Sequence, residues 1–116
     1  MKQKENKSAF LKAFGDTPQL RVLDFLVHNY FFDYPLTEIA RESNIGYSSL
    51  QRIFPQMIKM GILKKTRKVG KSDYYQADKN NPFFKRMIYL NLDLIGKTIE
   101  NMDDNGNEKK GIVLKV

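Results

Sequence analysis

The chain has 116 residues, with 20 Lys and Arg against 13 Asp and Glu, a net charge of +7, no Cys, no Trp and one His. This length admits one compact domain, and the missing Cys exclude disulfides, thiolate chemistry and cysteine-based zinc sites. A lone His offers little to a transition metal, so no metal and no cofactor are expected; no apolar run suits a transmembrane helix or a secretory signal, which sets the expected location in the cytoplasm.

The first residues, MKQKENK, form a polar, basic arm. Ser8 is placed to cap a short helix over 9–14, which Gly15 ends. Asp16-Thr17-Pro18 then starts a longer helix, with Thr17 as N-cap and Pro18 in the first turn. Its apolar face, Leu20, Leu23, Leu26 and Val27, continues to about Asn29. His28, near its end, reads as a partner of the helix C-terminus or a packed residue rather than a catalytic one. The aromatic stretch 30–34 is expected to be extended, with Pro35 closing it.

Thr37 is expected to cap a second helix reaching about Ser43, followed by a tight turn at Asn44-Ile45-Gly46. A third helix starts near Tyr47, with Leu50, Ile53, Phe54, Met57 and Ile58 on one face. Pro55 is expected to kink or interrupt it, and Gly61 to stop it. Residues 62–69 read as a strand, 70–73 as a turn and 74–77 as a return strand, a β-hairpin with a basic first strand.

Asn80-Asn81-Pro82 opens the last helix, which extends as far as Met102. Phe83, Phe84, Met87, Leu90, Leu94, Ile95 and Ile99 belong to an apolar arc of roughly 200°, where a helix covering one core needs a stripe of about 100°. The excess width predicts a second buried surface, a homodimer seam made by these residues. Gly96 marks either close packing or an early end. The 103–116 tail is left as a short strand or unstructured.

Charge is concentrated: residues 61–86 carry eight Lys/Arg against two Asp/Glu, or +6 of the total. Such a block attracts a polyanion, nucleic acid or a lipid surface. The stretch TEIARESNIGYSSLQRIF, 37–54, favours nucleic acid. A helix-turn-helix needs a small residue on its first helix (Ala40), a residue tolerant of positive φ in the turn (Asn44) and a buried apolar residue after it (Ile45). Apolar positions three apart on the second helix (Leu50, Ile53) complete the pattern. That register turns Tyr47, Ser48, Gln51 and Arg52 outward, with Ser49 at the rim and Thr37 beside them. Gln pairs bidentately with adenine, Arg with guanine, and hydroxyls reach phosphates or bases. Lys64, Lys65, Arg67, Lys68 and Lys71, with no acid between them, suit a phosphate backbone or a minor groove. Gly70-Lys71-Ser72 ends like a phosphate-binding loop, but Lys65 stands where its first Gly belongs, and no carboxylate pair or nucleophile set suggests an enzyme.

In order, the elements are helix, helix-turn-helix, basic hairpin and long helix. Together with FGDTPQLRVLDFL, LTEIARESNIGYSSLQRIFPQMIKMGILKKTRKVGKSDYY and NNPFFKRM, the chain resembles the small archaeal winged-helix transcriptional regulators. The resemblance implies a mainly α fold with a small β-hairpin, a recognition helix over 47–54, a wing over 64–75 and homodimerisation through terminal helices. It divides the chain into an arm with a short helix (1–14), a DNA-binding domain (15–80), a dimerisation helix (81–102) and a tail (103–116). The implied partner is double-stranded DNA, read as an inverted repeat by a transcriptional regulator. A plasmid or viral DNA-maintenance protein uses the same surface, and a winged-helix protein-interaction module turns the basic hairpin to an acidic partner; both stay open.

Overall fold

The computed structural model describes residues 7–102 and 104–106. Among them the order is α1 (Ala9–Phe14), α2 (Pro18–His28), β1 (Tyr34–Pro35), α3 (Leu36–Glu42), α4 (Tyr47–Lys59), β2 (Leu63–Val69), β3 (Ser72–Ala77) and α5 (Pro82–Glu100). The N-terminal arm, except Lys7, and most of the expected tail lie outside the described residues.

Three helices start on side-chain caps. Ser8 Oγ accepts from the Leu11 N–H, Thr17 Oγ1 from Leu20, and Asn81 Oδ1 from Phe83 and Phe84. Each cap satisfies N–H groups that have no partner in the first turn. Thr37 does not cap α3. Pro35 takes that position in extended backbone (φ −71°, ψ 158°), and the helix begins at Leu36 without a side-chain cap. The cause is tertiary: Pro35 opposes Tyr74 in a sheet, so the helix starts where the strand ends.

That sheet has strand order β1-β3-β2, all antiparallel. The stretch 30–34 is therefore only partly extended: residues 30–32 turn, and β1 is confined to Tyr34 and Pro35. An edge strand tolerates Pro because its missing donor faces away from the ladder. The return strand begins at Ser72, two residues before the expected 74. Val69 opposes Ser72, leaving Gly70-Lys71 as a two-residue loop with Gly70 at φ +62°. Positive φ at the first loop residue alone matches a type II′ turn. Thr66 is an extra residue between the pairs Lys65–Tyr75 and Arg67–Tyr74, a β-bulge.

Pro55 does not interrupt α4, which runs on to Lys59. Gln51 and Pro55 are both exposed, so water can serve the carbonyl that loses its donor. Buried Met57, two residues further on, rewards continuation. The helix stops where Gly61 takes φ +74°; the Gly61 N–H bonds the Ile58 carbonyl and the Ile62 N–H that of Met57.

One core unites every layer: Phe10 of α1, Val22 and Leu26 of α2, Ile39 of α3, Leu50 and Met57 of α4, Leu63 and Ala77 of the hairpin, and Phe84 of α5. Burying a large apolar side chain contributes about 1.5–3 kcal/mol. Phe84 is thus spent on the protomer's own core, and Met87 and Ile88 pack against it. The single apolar arc divides into three. Buried Phe84 and Asn91 mark the inward line, and exposed stripes flank it, Phe83 with Leu90 and Leu92 with Ile99. Leu94 and Ile95 are half-buried. Gly96 lies mid-helix, and a Cβ there would meet open space, so it marks neither close packing nor an end. His28 links α2 to α5: Nδ1 lies 2.7 Å from the Asp24 carbonyl, and Asn91 Nδ2 3.2 Å from Nε2. A neutral ring protonated on Nδ1 satisfies both contacts.

Candidate nucleic-acid interface

Helices α3 and α4 meet through a turn whose geometry follows from Asn44. It holds φ +57°, the only non-Gly residue with positive φ among those described. Its N–H reaches the Arg41 carbonyl (3.1 Å) and the Ile45 N–H that of Ala40 (3.0 Å), which closes α3 and redirects the chain. Ile39 and Ala40 are buried where the helices cross, and Leu50 returns the contact from α4. Arg21 of α2 braces the turn from outside, donating from Nη1 to the Asn44 carbonyl at 2.8 Å while its other nitrogens hold Asp16.

With Leu50 and Met57 inward, Tyr47, Ser48, Gln51 and Arg52 are exposed and Ser49 is half-buried. Arg52 Nη2 lies 3.4 Å from Ser49 Oγ, an exposed and weak contact that leaves its guanidinium accessible. Gly46 caps α4 without a side-chain acceptor, and the first turn holds no acid, so its N–H groups keep capacity for an anion. Thr37, Tyr47 and Lys71 line one cleft of about 260 Å³. The cleft joins the starts of α3 and α4 to the hairpin tip.

The hairpin cations divide into two groups. Arg67 makes a bidentate pair with Asp33 (2.9 and 3.1 Å), and its guanidinium lies 4.7 Å over the Tyr74 ring. Lys65 pairs with Asp73 at 3.1 Å and Lys64 loosely with Asp78 at 3.8 Å. Lys68 and Lys71, beside and within the tip, have no ion pair among the described residues. Sequence spacing counts all five as equal, whereas the fold engages three and presents two.

Two residues of consequence escape sequence reasoning. Asp33 holds Arg67 and accepts from Thr66 Oγ1 at 2.6 Å, fastening the bulge to the loop before β1. Arg21 reaches the turn across 23 positions. Neither belongs to a local motif; only Asp16, five residues before Arg21, hints at a pair. The hydrogen bond from Arg21 holds the Asp16 carboxyl down to about 2 against the opposing effect of burial, with Lys7 assisting. Arg67, then Thr66, hold Asp33 below the usual carboxylate range. A carboxyl lowered by folding contributes stability that is full above its unfolded value, about 3.9, and is lost as pH falls toward the folded value. Stability from these two groups is therefore expected to be flat near neutrality and to decline between about pH 4 and 2. In urea titrations from pH 7 down to about 2, Asp16→Asn should be less stable than the parent at pH 7 and show a shallower acid slope. Parallel slopes would refute the Arg21–Asp16 pair as the cause.

A helix-turn-helix followed by an antiparallel hairpin, with a third short strand beside it, is the winged helix-turn-helix fold. Solved structures of the same fold include the antimony-specific transcriptional repressor AntR (21% identity, TM-score 0.56, covering 78% of each chain). A second is the MarR family transcriptional regulator SPO1453 from Silicibacter pomeroyi DSS-3 (21% identity, TM-score 0.50, 78% of this chain and 60% of that one). A third is NadR in complex with 4-hydroxyphenylacetate (17% identity, TM-score 0.56, 79% of this chain and 65% of that one). The chain thus spans less than two thirds of the latter two. No family model and no curated protein matches it. No helix of the described residues is long and apolar enough to cross a membrane, and no group of three or more His, Asp or Glu among them is placed to hold a metal ion.

Proposed function

We propose that the protein binds double-stranded DNA sequence-specifically and regulates transcription, reading an inverted repeat as a homodimer. The observation that carries this reading is the cleft where Thr37, Tyr47 and Lys71 meet. It brings the start of α4 beside Lys71 of the hairpin tip, and the exposed Gln51 and Arg52 stand one turn further along the same helix. Helix α4 enters the major groove, Gln51 and Arg52 reach base edges, and Ser48, Ser49, Thr37 and Tyr47 contact phosphates. Lys68 and Lys71 follow the backbone beside it, Lys64 and Lys65 add to the field, and Arg67 positions the wing through Asp33. Two of the solved structures of this fold are described as a transcriptional repressor and a transcriptional regulator, which supports the same role here. Residues serve binding rather than catalysis, and the expected place of action is the cytoplasm.

Selection of bound duplexes from a random pool tests this directly, with an enriched two-fold symmetric sequence as the expected result. On the selected site, Arg52→Ala is expected to cost about 1–3 kcal/mol and to relax base choice at one position of each half-site. Lys68→Ala should weaken all sequences alike and lower the salt slope by about 1 per protomer. A pool that returns no enriched sequence would overturn the proposal.

A further inference from the structure

Away from the hairpin, α1, α2 and the end of α3 surround a cleft of about 470 Å³. The volume falls in the range of about 300–1,000 Å³ usual for small-molecule sites. Leu11 and Phe25 give it an apolar wall, and Asp24, Glu42 and Ser43 a polar one. Ser43, the C-cap of α3, is 4% exposed, and its Oγ has no hydrogen-bond partner among the described residues. A buried hydroxyl without a partner is costly, so it marks a place where a further polar group is wanted. Asp24 is partly buried, and its partners are the Ser8 hydroxyl, which donates at 2.7 Å, and the His28 ring at 3.4 Å. Arg21 brings the one guanidinium or ammonium among the described residues of the wall, and it holds Asp16 and the Asn44 carbonyl.

We infer that this cleft binds a primary amine with a compact apolar body. The ammonium would donate to the Asp24 carboxylate and to Ser43 Oγ, with the body against Leu11 and Phe25. Charge sets the sign and the valence. Through their ion pairs, Asp16, Glu38 and Glu42 share Lys7, Arg21 and Arg41, so with Asp24 four carboxylates meet three cations and one negative charge is left. Asp24 is the carboxylate that none of the three pairs with. Glu42 is exposed and 3.8 Å from Arg41, so it adds field at the rim rather than a fixed contact. An anion would face Asp24 and Glu42, and an alcohol of the same shape would leave Asp24 unmatched. Ser43 leads directly into the Asn44 turn, so an occupant bears on the geometry of the helix-turn-helix. That consequence rests on the function proposed above; the site itself does not.

The full chain is titrated with cyclohexylmethylamine, and with cyclohexylmethanol and cyclohexanecarboxylate as neutral and anionic controls, while side-chain and amide NMR signals are followed. Saturable shifts centred on Leu11, Phe25 and Ser43, with affinity at least fivefold weaker for both controls, are expected. Asp24→Asn, which keeps an acceptor for Ser8, should weaken the amine at least fivefold without affecting the alcohol. Ser43→Ala should weaken the amine at least threefold with an unfolding midpoint that does not fall, because the hydroxyl it removes has no partner in the fold. Shifts centred elsewhere, no saturation by millimolar amine, equal binding of amine and alcohol, or full amine affinity in both variants would each overturn the site. The titration contains no DNA, so it fails or succeeds apart from the DNA reading. At saturating amine, a change of at least threefold in affinity for the selected duplex that Asp24→Asn removes would support the link to DNA. An unchanged affinity, or the same change in Asp24→Asn, would overturn that link alone.

Discussion

A Leu92→Glu/Ile99→Glu double variant is expected to be monomeric at micromolar concentration and to bind a full inverted repeat roughly a hundredfold more weakly than the parent. The two residues lie seven apart on α5, two turns, and so share one stripe. They are 58% and 63% exposed, and Phe83 and Leu90 form a second exposed stripe across the buried line of the helix. Apolar surface continued over several turns is uncommon on a chain that stays monomeric. In the proposed homodimer, Glu at both positions places like charges on the seam, because two-fold symmetry brings the same stripe of both protomers together. The protomer core is untouched, so far-UV circular dichroism should be preserved. A linked dimer gains affinity from its second half-site through effective concentration, and a monomer forfeits it. Sedimentation velocity and duplex binding to one and two half-sites check both parts. A parent that is already monomeric, or a variant that remains dimeric, would refute this seam.

Phe84→Ala is expected to destabilise the fold by about 3–5 kcal/mol, a large share of the total for a domain of this size. Phe84 is fully buried, its ring 6.3 Å from that of Tyr30 in an edge-on arrangement, and it belongs to the core shared with Val22, Ile39 and Leu50. Truncation removes the transfer energy of the ring and leaves a cavity in the core that the packed neighbours close only in part. Phe83, its neighbour in sequence, is 56% exposed. Phe83→Ala in the monomeric double variant should change stability by no more than about 0.5 kcal/mol. Urea denaturation of both substitutions in that background measures the contrast. Similar losses at the two positions would mean that the helix is rotated from the orientation described.

Much of this was legible locally. Thr17-Pro18, Asn81-Pro82 and Gly61 act within a turn of their own position, and the structure uses each as local chemistry requires. The helix-turn-helix was legible for the same reason: Ala40, Asn44, Ile45, Leu50 and Ile53 are spaced by helix geometry, and the turn forms on Asn44 as expected. The outward direction of Gln51 and Arg52 follows from that register. Their contact with DNA is a proposal.

Where local rules misled, a distant partner intervened. Thr37 is a good N-cap type, yet Pro35 is held by Tyr74, and the helix starts two residues too early for Thr37 to serve. Pro55 is a helix breaker whose cost is met by burial of Met57 and by water on an exposed side.

The charge balance shows the division most plainly. Sequence alone placed +6 of the net +7 in residues 61–86, because charge is a property of composition. Which cations remain available was decided only by tertiary structure. Asp33 takes Arg67 from 34 positions away, Asp73 takes Lys65 across the hairpin, and Lys68 and Lys71 are left at the tip. Likewise, the width of the apolar arc on α5 is written in residue order. Its division into a buried line and two exposed stripes depends on which neighbours arrive, since a side chain is buried only by what the rest of the chain brings to it.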